Sequence, residues 1–255
     1  TALISGLVNP PRAHINIRVS DPDEEARKHL ESTFAVPTFT DTYAAIDGAD
    51  VILLAVKPQI MPAVLDHLQG RVKSGQLVLS IAAGTTIAMI ERHLGGGLSV
   101  VRSMPNTPAL VGHGITGAFA GQHCSDEQRQ QAGEVLGAAS EVVWLEHESL
   151  MDAVTAISGT GPASFFLLAE VLAAAAREMG IPAATADRLA SITCFGAGAM
   201  LAGSPGDAVE LRRRVTSPGG TTQAAMDVMK SEGFRKVVLK AAEAARERSI
   251  ELSGE

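Results

Sequence analysis

The first part of the chain alternates short apolar runs with amphipathic segments, a pattern that predicts β-strands connected by helices. The clearest strand signal is the continuous apolar run from Val51 to Val56, which is typical of a strand buried on both faces. The predicted strands cover residues 15–20, 51–56, 77–81, 98–102, 115–120 and 142–145. Strand–helix units of this size predict an α/β fold with a parallel, doubly wound sheet.

The helices between these strands are indicated by signals at their ends. Asp21 is the expected N-cap of a charged helix, with Pro22 at the first helical position. The predicted helices cover residues 22–32, 41–48, 59–68, 86–94 and 125–138. A helical pattern already runs through residues 1–7, with no methionine before it. We therefore expect a strand and a turn that precede Thr1 and are missing from this sequence.

The pattern changes after Glu146, where helical segments follow one another without a strand-like run. These predicted helices cover residues 162–179, 182–203, 205–215, 221–230 and 234–252. We predict a dinucleotide-binding domain over residues 1–146 and a helical substrate and dimerisation domain over residues 147–255. Alanine-rich helices such as 169–176 and 241–245 carry more apolar surface than one small domain can cover, which predicts an isologous homodimer.

Composition and charge exclude several classes of function. The net charge is −7, and no cluster of Lys and Arg is flanked by aromatic residues, which disfavours nucleic-acid binding. Two distant cysteines and scattered histidines predict no metal site and a reduced, cytoplasmic compartment. The apolar stretch 162–176 is shorter than the roughly 18 residues that span a membrane and contains Glu170, so we expect a buried helix and no membrane partner.

Three loops follow predicted strands, where open α/β sheets bind their ligands. The candidate cofactor-binding residues in these loops are Ala55, Val56, Lys57, Pro58, Ala82, Ala83 and Asn106. Lys57 is the one positive charge among them and suits a phosphate or a ribose, although an ordinary strand-end lysine is an equal alternative. The glycine-rich fingerprint G-x-G-x-x-G, which cradles a pyrophosphate, is absent from the sequence.

The end of the first predicted strand bears on the choice of cofactor. Asp21 argues for NADH, because an acidic residue there bonds the ribose 2′-hydroxyl. Ser20, Thr42 and Arg27 could instead meet the 2′-phosphate of NADPH. A role for Asp21 as a helix cap alone is an equal alternative.

Two glycine-rich helix starts are candidate sites in the second half. The segment from Ser217 to Thr222 contains Gly219 and Gly220, and its free N–H groups with the helix dipole behind them form an anion site. The alternative is a plain glycine turn that caps a helix. The segment from Ser158 to Ala163 is a second close-approach point, whose alternative is a contact between helices.

The chain resembles the pyrroline-5-carboxylate reductases, which catalyse the last step of proline biosynthesis. The resemblance spans nearly the whole chain in order, and the ordered set of motifs is specific. The motifs that carry it are Ala55-Val56-Lys57-Pro58, Arg102-Ser103-Met104-Pro105-Asn106-Thr107-Pro108, Asp152-Ala153-Val154-Thr155, Ser158-Gly159-Thr160-Gly161-Pro162-Ala163, Ser217-Pro218-Gly219-Gly220-Thr221-Thr222 and Gly233-Phe234-Arg235.

The resemblance implies a Rossmann domain, a helical domain that interlocks two subunits, and NADPH or NADH as hydride donor. It implies Thr222 as the substrate-contacting, catalytic threonine and Glu148 as a substrate-side acid. The remaining implied substrate-binding residues are Ser217, Gly219, Gly220 and Thr221. The implied residues beside the nicotinamide are Thr160, Gly161 and Pro162. Arg214 replaces a substrate-contacting Asn of some members, and the basic run 212–214 is otherwise interpreted as a solvated helix face.

Two other functions are alternatives to imine reduction. A hydroxyacid dehydrogenase of similar domain order needs a base for the hydroxyl proton, and related enzymes place a lysine on the interdomain helix. Residues 158–180 contain no lysine, which favours reduction of an imine carboxylate. A non-catalytic binding protein is supported by the absent glycine fingerprint alone. The sequence is compatible with NADPH or NADH as the cofactor, and with a dimer or an oligomer of dimers.

Overall fold

The computed structural model describes residues 1–9, 15–204 and 207–254 of the chain. They form two compact units, of which the first comprises Thr1–Thr160 together with Ala245–Glu255. The second unit comprises Gly161–Ala244. The last helix therefore begins in the second unit and ends in the first.

The first unit contains the strands and the shorter helices. Its strands are β1 (Val19–Ser20), β2 (Thr38–Phe39), β3 (Val51–Leu54), β4 (Leu77–Ser80), β5 (Ser99–Met104), β6 (Gly114–Ala120) and β7 (Ser140–Trp144). Its helices are α1 (Ala2–Val8), α2 (Glu24–Phe34), α3 (Thr42–Ile46), α4 (Met61–Leu68), α5 (Ile87–Leu94), α6 (Asp126–Leu136) and α7 (Met151–Val154). A π-helical turn over Thr155–Gly159 follows α7.

Five strands form one sheet in the order β3-β4-β5-β6-β7, and β1 pairs with β2 in a separate parallel ribbon. The α/β prediction is confirmed, but the sheet is mixed, because β5 and β6 run antiparallel. The link between them spans only residues 105–113. A parallel crossover needs about a dozen residues or more, so this short link brings the chain back in the opposite direction.

Burial differs between β3 and β4. All four residues of β4 are buried, as expected of a strand covered on both faces. In β3, Ile52 and Leu54 are buried but Leu53 is 36% exposed. The prediction that 51–56 is buried on both faces is therefore wrong, because β3 lies at an edge of the five-stranded sheet while β4 lies inside it.

Helix caps in the first unit follow side-chain chemistry closely. Thr86 caps α5 by accepting from Met89 N, and Ser125 caps α6 in a reciprocal capping box with Gln128. The predicted cap of α2 is wrong: Asp23, not Asp21, accepts from the first backbone N–H groups of that helix. Asp21 instead accepts from Asp23 N and fixes the turn before the helix.

The second unit contains only helices in its described residues. They are α8 (Gly161–Glu178), α9 (Ala183–Ala202), α10 (Ala208–Arg214), α11 (Thr221–Ser231) and the first part of α12 (Phe234–Ser253). These helices confirm the all-helical second half. The predicted start of the helix 205–215 lies partly outside the described residues.

The expectation of a buried helix over 162–176 is wrong. Within the chain α8 is largely exposed, and Phe165, Phe166 and Leu167 on it are each more than half exposed. The helical run also continues backwards through the π turn to Glu148, so that Glu148–Glu178 is long and apolar enough to cross a membrane by length and composition. Core helices of water-soluble proteins can be equally long and apolar. An exposed apolar surface of this kind is typical of an interaction site.

The segment between the last strand and α8 packs on the sheet. A Cβ on Gly117 of β6 would come within 2.7 Å of Val154 Cγ1, and one on Gly159 would come within 2.7 Å of Met104 Cε. Residues 148–160 therefore belong to the first compact unit, although the strands end before them. The domain boundary after residue 146 stays a prediction.

Candidate active site

The predicted cofactor loops lie next to one another at the carboxyl ends of the strands. Leu54 pairs with Ser80, and Ser80 pairs with Arg102, in neighbouring parallel strands. The loops that follow β3 and β4 and the end of β5 therefore lie side by side. The structure thus brings together Ala55, Val56, Lys57, Pro58, Ala82, Ala83 and Asn106.

The side chains in these loops are small or exposed. Ala82 is buried, Ala83 is half-buried, and Lys57 is exposed where Pro58 begins a short 3-10 turn. Asn106 is held in place, because its Oδ1 accepts from Ile115 N at 3.0 Å. Its Nδ2 remains the donor that the side chain can direct at a ligand.

The residues that bear on cofactor choice also lie together. Ser20 Oγ and Thr42 Oγ1 are 3.2 Å apart. Arg27 Nη1 donates to the carbonyl oxygen of Asp21 at 2.6 Å, which places its guanidinium beside the same turn. The Asp21 carboxylate is engaged with Asp23 N at 2.9 Å. The two hydroxyls and the guanidinium therefore lie close to the end of β1.

Glu148 takes part in a network that sequence reasoning missed. Its Oε1 lies 3.0 Å from Arg102 Nη1 and also accepts from Ile87 N at 2.9 Å. The Arg102 side chain is 4% exposed and the Glu148 side chain is 27% exposed. A buried arginine needs a paired anion. The presence of Arg102 in the predicted strand 98–102 was therefore a signal in the sequence that an acidic partner lies nearby. Glu148 thereby joins β5 to the start of α5.

The approach to Thr160 is a π-helical turn, which is wider than a turn of α-helix. The hydroxyls of Thr155, Ser158 and Thr160 donate to the carbonyl oxygens of Met151, Val154 and Ala156, each four residues earlier. Such π turns are frequent at functional sites. Position 159 is a glycine because a Cβ there would clash with Met104. The absence of a side chain lets the turn approach the end of β5. A Cβ on Gly161, by contrast, would meet open space.

The Ser217 to Thr222 turn lies in the second unit and leads into α11. Gly219 has φ of +70°, and Gly220 N donates to the carbonyl oxygen of Ser217 at 3.1 Å. Gly220 is the N-cap and no side chain caps the helix start. The first N–H groups of α11 are therefore available as donors, with the half-buried Thr222 among them.

Glu210 on α10 holds the two arginines next to this turn. Its carboxylate accepts from Arg213 Nε at 2.6 Å and from Arg214 Nε at 2.9 Å. These hydrogen bonds, chiefly that of Arg213, hold the pKa of the Glu210 carboxyl below its ordinary value. The Arg214 guanidinium is thus engaged on its own helix in this structure.

Comparisons with known proteins agree along the whole chain. A family model described as pyrroline-5-carboxylate reductase dimerisation matches residues 148–252, and one described as NADP oxidoreductase coenzyme F420-dependent matches residues 1–84. The pyrroline-5-carboxylate reductase of Pseudomonas aeruginosa is 44% identical over 99% of this chain and 92% of its own length. That of Haemophilus influenzae is 39% identical over 98% of this chain and 93% of its own length.

Solved structures give the same result. A pyrroline-5-carboxylate reductase from Coxiella burnetii has a TM-score of 0.93 at 35% identity, covering 99% of this chain and 94% of its own. The Plasmodium falciparum enzyme with NADP bound has a TM-score of 0.84 at 27% identity, covering 99% of this chain and 93% of its own. The Rossmann-like unit, the helical unit and these full-length similarities together show that this chain belongs to the pyrroline-5-carboxylate reductase family.

Proposed function

We propose that the protein reduces the C=N bond of 1-pyrroline-5-carboxylate to give L-proline, the last step of proline biosynthesis. The observation that carries the proposal is the full-length similarity to reductases of that name. The uncapped helix start at Gly219 to Thr222 supports it, because this start offers N–H donors to a small carboxylate.

On the substrate side, Ser217, Gly219, Gly220 and Thr221 bind the carboxylate through backbone and hydroxyl donors. The Thr222 hydroxyl bonds the ring nitrogen and favours the protonated, more electrophilic imine. A protonated imine accepts a hydride directly, so the reaction requires no strong general base. Glu148 remains a candidate substrate-side acid, although its contacts within the first unit are with Arg102 and Ile87.

On the cofactor side, the first unit offers a surface that suits a dinucleotide. Ala82 and Ala83 carry small side chains, so a flat ligand can approach the chain closely at this loop. Residues 55–58, 82–83, Asn106 and Thr160 of this unit would hold the cofactor, and Gly161 and Pro162 stay predicted cofactor residues. The cofactor supplies the hydride when bound, while these residues orient it and exclude water.

NADPH is the proposed cofactor, with NADH as a slower alternative. The hydroxyls of Ser20 and Thr42 and the Arg27 guanidinium are the donors that a 2′-phosphate needs. The Asp21 carboxylate, which would favour the 2′-hydroxyl of NADH, is engaged with Asp23 N. A relative from Plasmodium falciparum was solved with NADP bound, which is consistent with this choice.

The second unit is proposed to form a homodimer in the cytoplasm. Exposed apolar residues on α8 include Phe165, Phe166 and Val171, and a surface of this kind calls for a partner. The match of residues 148–252 to a dimerisation model supports the proposal. Light scattering on the purified chain should give the mass of a dimer or of a multiple of dimers, and a monomer mass would overturn the proposal.

The test of the reaction is consumption of reduced cofactor with defined substrates. We expect the near-ultraviolet absorbance of NADPH to fall on addition of pyrroline-5-carboxylate, and that of NADH to fall more slowly. A set of 2-hydroxy acids with the oxidised cofactors tests the dehydrogenase alternative and should give no reaction. The proposal fails if pyrroline-5-carboxylate gives no turnover with either cofactor.

A further inference from the structure

The end of helix α12 packs on the first unit, beside segments that were assigned above to the cofactor. Residues Ala245–Glu255 belong to that unit, whereas the rest of α12 does not. Ser249 is the buried residue of α12, with only 4% of its surface exposed. A serine buried on a helix needs a hydrogen-bond partner, and this one finds its partner outside the helix.

The first contact joins Ser249 to α7. Ser249 Oγ donates to Asp152 Oδ1 at 2.6 Å, and Asp152 is itself 6% exposed. Asp152 lies on α7, which directly precedes the π turn Thr155–Gly159 that leads to Thr160. The hydrogen bond therefore fixes the base of the segment whose end is proposed to lie beside the nicotinamide.

The second contact joins the end of α12 to the loop after β4. A Cβ on Gly84 would lie 3.2 Å from the carbonyl oxygen of Leu252 and 3.3 Å from its carbonyl carbon. The backbone of α12 thus packs directly on Gly84, which closes the Ala82-Ala83-Gly84 loop. One helix end consequently contacts two positions that adjoin proposed cofactor residues: Gly84, which follows Ala82 and Ala83, and Asp152, which lies on the helix before the turn to Thr160.

We propose that Ser249 and Asp152 are positioning residues for cofactor binding. Their hydrogen bond seats the end of α12, which in turn supports the loop at Gly84 and the turn before Thr160. The proposal rests on the proposed function, since that function assigns the adjoining residues Ala82, Ala83 and Thr160 to the cofactor. Neither residue is required to touch the cofactor or the imine.

The experiment measures NADPH binding directly, by fluorescence titration of the full chain without imine substrate. Ser249→Ala should weaken NADPH binding roughly tenfold, equivalent to about 1.4 kcal/mol, and should raise the KM for NADPH while kcat changes little. Asp152→Asn keeps an acceptor for Ser249 and should bind NADPH nearly as well as the unaltered chain. Ser253→Ala is the matched control, because Ser253 Oγ donates to Ile250 O of its own helix, and it should bind normally.

The outcomes separate a positioning role from a structural one. Unchanged NADPH affinity in Ser249→Ala overturns the inference, even if the melting temperature falls. If Ser249→Ala does not fold, Ser249→Cys gives the same test, because it keeps the volume and weakens the donor; unchanged affinity there also overturns it. Failure of the unaltered chain to bind any nicotinamide dinucleotide overturns the proposed function first, and this inference with it.

Discussion

Replacement of Glu148 distinguishes an anchor of the fold from a contact with the substrate. The Glu148 carboxylate pairs with the buried guanidinium of Arg102 and also accepts from Ile87 N at the start of α5. Glu148→Ala leaves the Arg102 charge buried without this partner and removes an acceptor from the helix start. We therefore expect Glu148→Ala to destabilise the first unit.

The magnitude follows from burial. Removing one partner of a buried ion pair costs about 3–5 kcal/mol. Glu148 is about a quarter exposed, so water can partly replace it, and we expect about 3 kcal/mol for Glu148→Ala. Glu148→Gln keeps an acceptor oxygen and loses only the charge, so we expect about 1–2 kcal/mol. Glu24→Ala removes an exposed ion pair with Lys28 and should cost only about 0.2–0.5 kcal/mol.

The assay is urea unfolding of the three variants, followed by steady-state kinetics at a temperature where all are folded. If Glu148 anchors the fold, Glu148→Ala should lose the most stability, Glu148→Gln less, and the Glu24→Ala control least. The KM of Glu148→Gln for the imine should then stay near that of the unaltered chain. A Glu148→Ala variant as stable as the Glu24→Ala control would refute the reasoning. A strongly raised imine KM in Glu148→Gln at full stability would instead assign Glu148 to the substrate.

Three further predictions follow from other contacts. Thr222→Ala should lower kcat/KM for the imine about tenfold or more, because a hydrogen bond to a charged group is worth about 1.5–3 kcal/mol. Thr222→Ser keeps the hydroxyl and should have a smaller effect. If Thr222→Ala has the same kinetics as the unaltered chain, Thr222 does not have the assigned role. Gly159→Ala should destabilise the chain by about 1–2 kcal/mol, because the added methyl group overpacks against Met104. Adding Met104→Ala to the Gly159→Ala chain should reduce that cost. If the losses of unfolding free energy of the two single variants simply add in the double variant, the contact is contradicted. Burial raises the pKa of the Cys124 thiol, so the folded chain keeps this proton at pH values where the unfolded chain has lost it. The free energy of unfolding therefore falls as the pH rises from the ordinary thiol pKa through the raised pKa of the folded chain. Mass-mapped alkylation at mildly alkaline pH should then be slower at Cys124 in the folded chain than in urea, and equal rates would contradict it.

Local signals in the sequence were sufficient for most helices and strands. Thr86 and Ser125 begin the predicted helices 86–94 and 125–138, and each caps its helix, since capping depends on residues within one turn. Asp21 failed as a cap because Asp23 stands two residues on with the same chemistry, and local sequence does not rank the two. The sheet edge at β3 also escaped prediction, because exposure of Leu53 depends on which strands flank it.

Contacts between distant segments could not be predicted in this way. Glu148 reaches Arg102 and Ile87, and Ser249 reaches Asp152, through the fold and not through sequence spacing. The burial predicted for α8 was wrong because an apolar helix looks the same whether its own chain or another chain covers it. The strand-end loops, by contrast, were placed together correctly, since parallel neighbours end at one edge.

The most direct test of imine reduction traces the transferred hydride. The chain is incubated with pyrroline-5-carboxylate and NADPH that carries deuterium in place of both hydrogens on the reactive ring carbon, and the product is analysed by NMR and mass spectrometry. We predict L-proline with one deuterium on its δ-carbon, formed in step with oxidation of the cofactor. Absence of proline, or proline without that deuterium, would contradict the account.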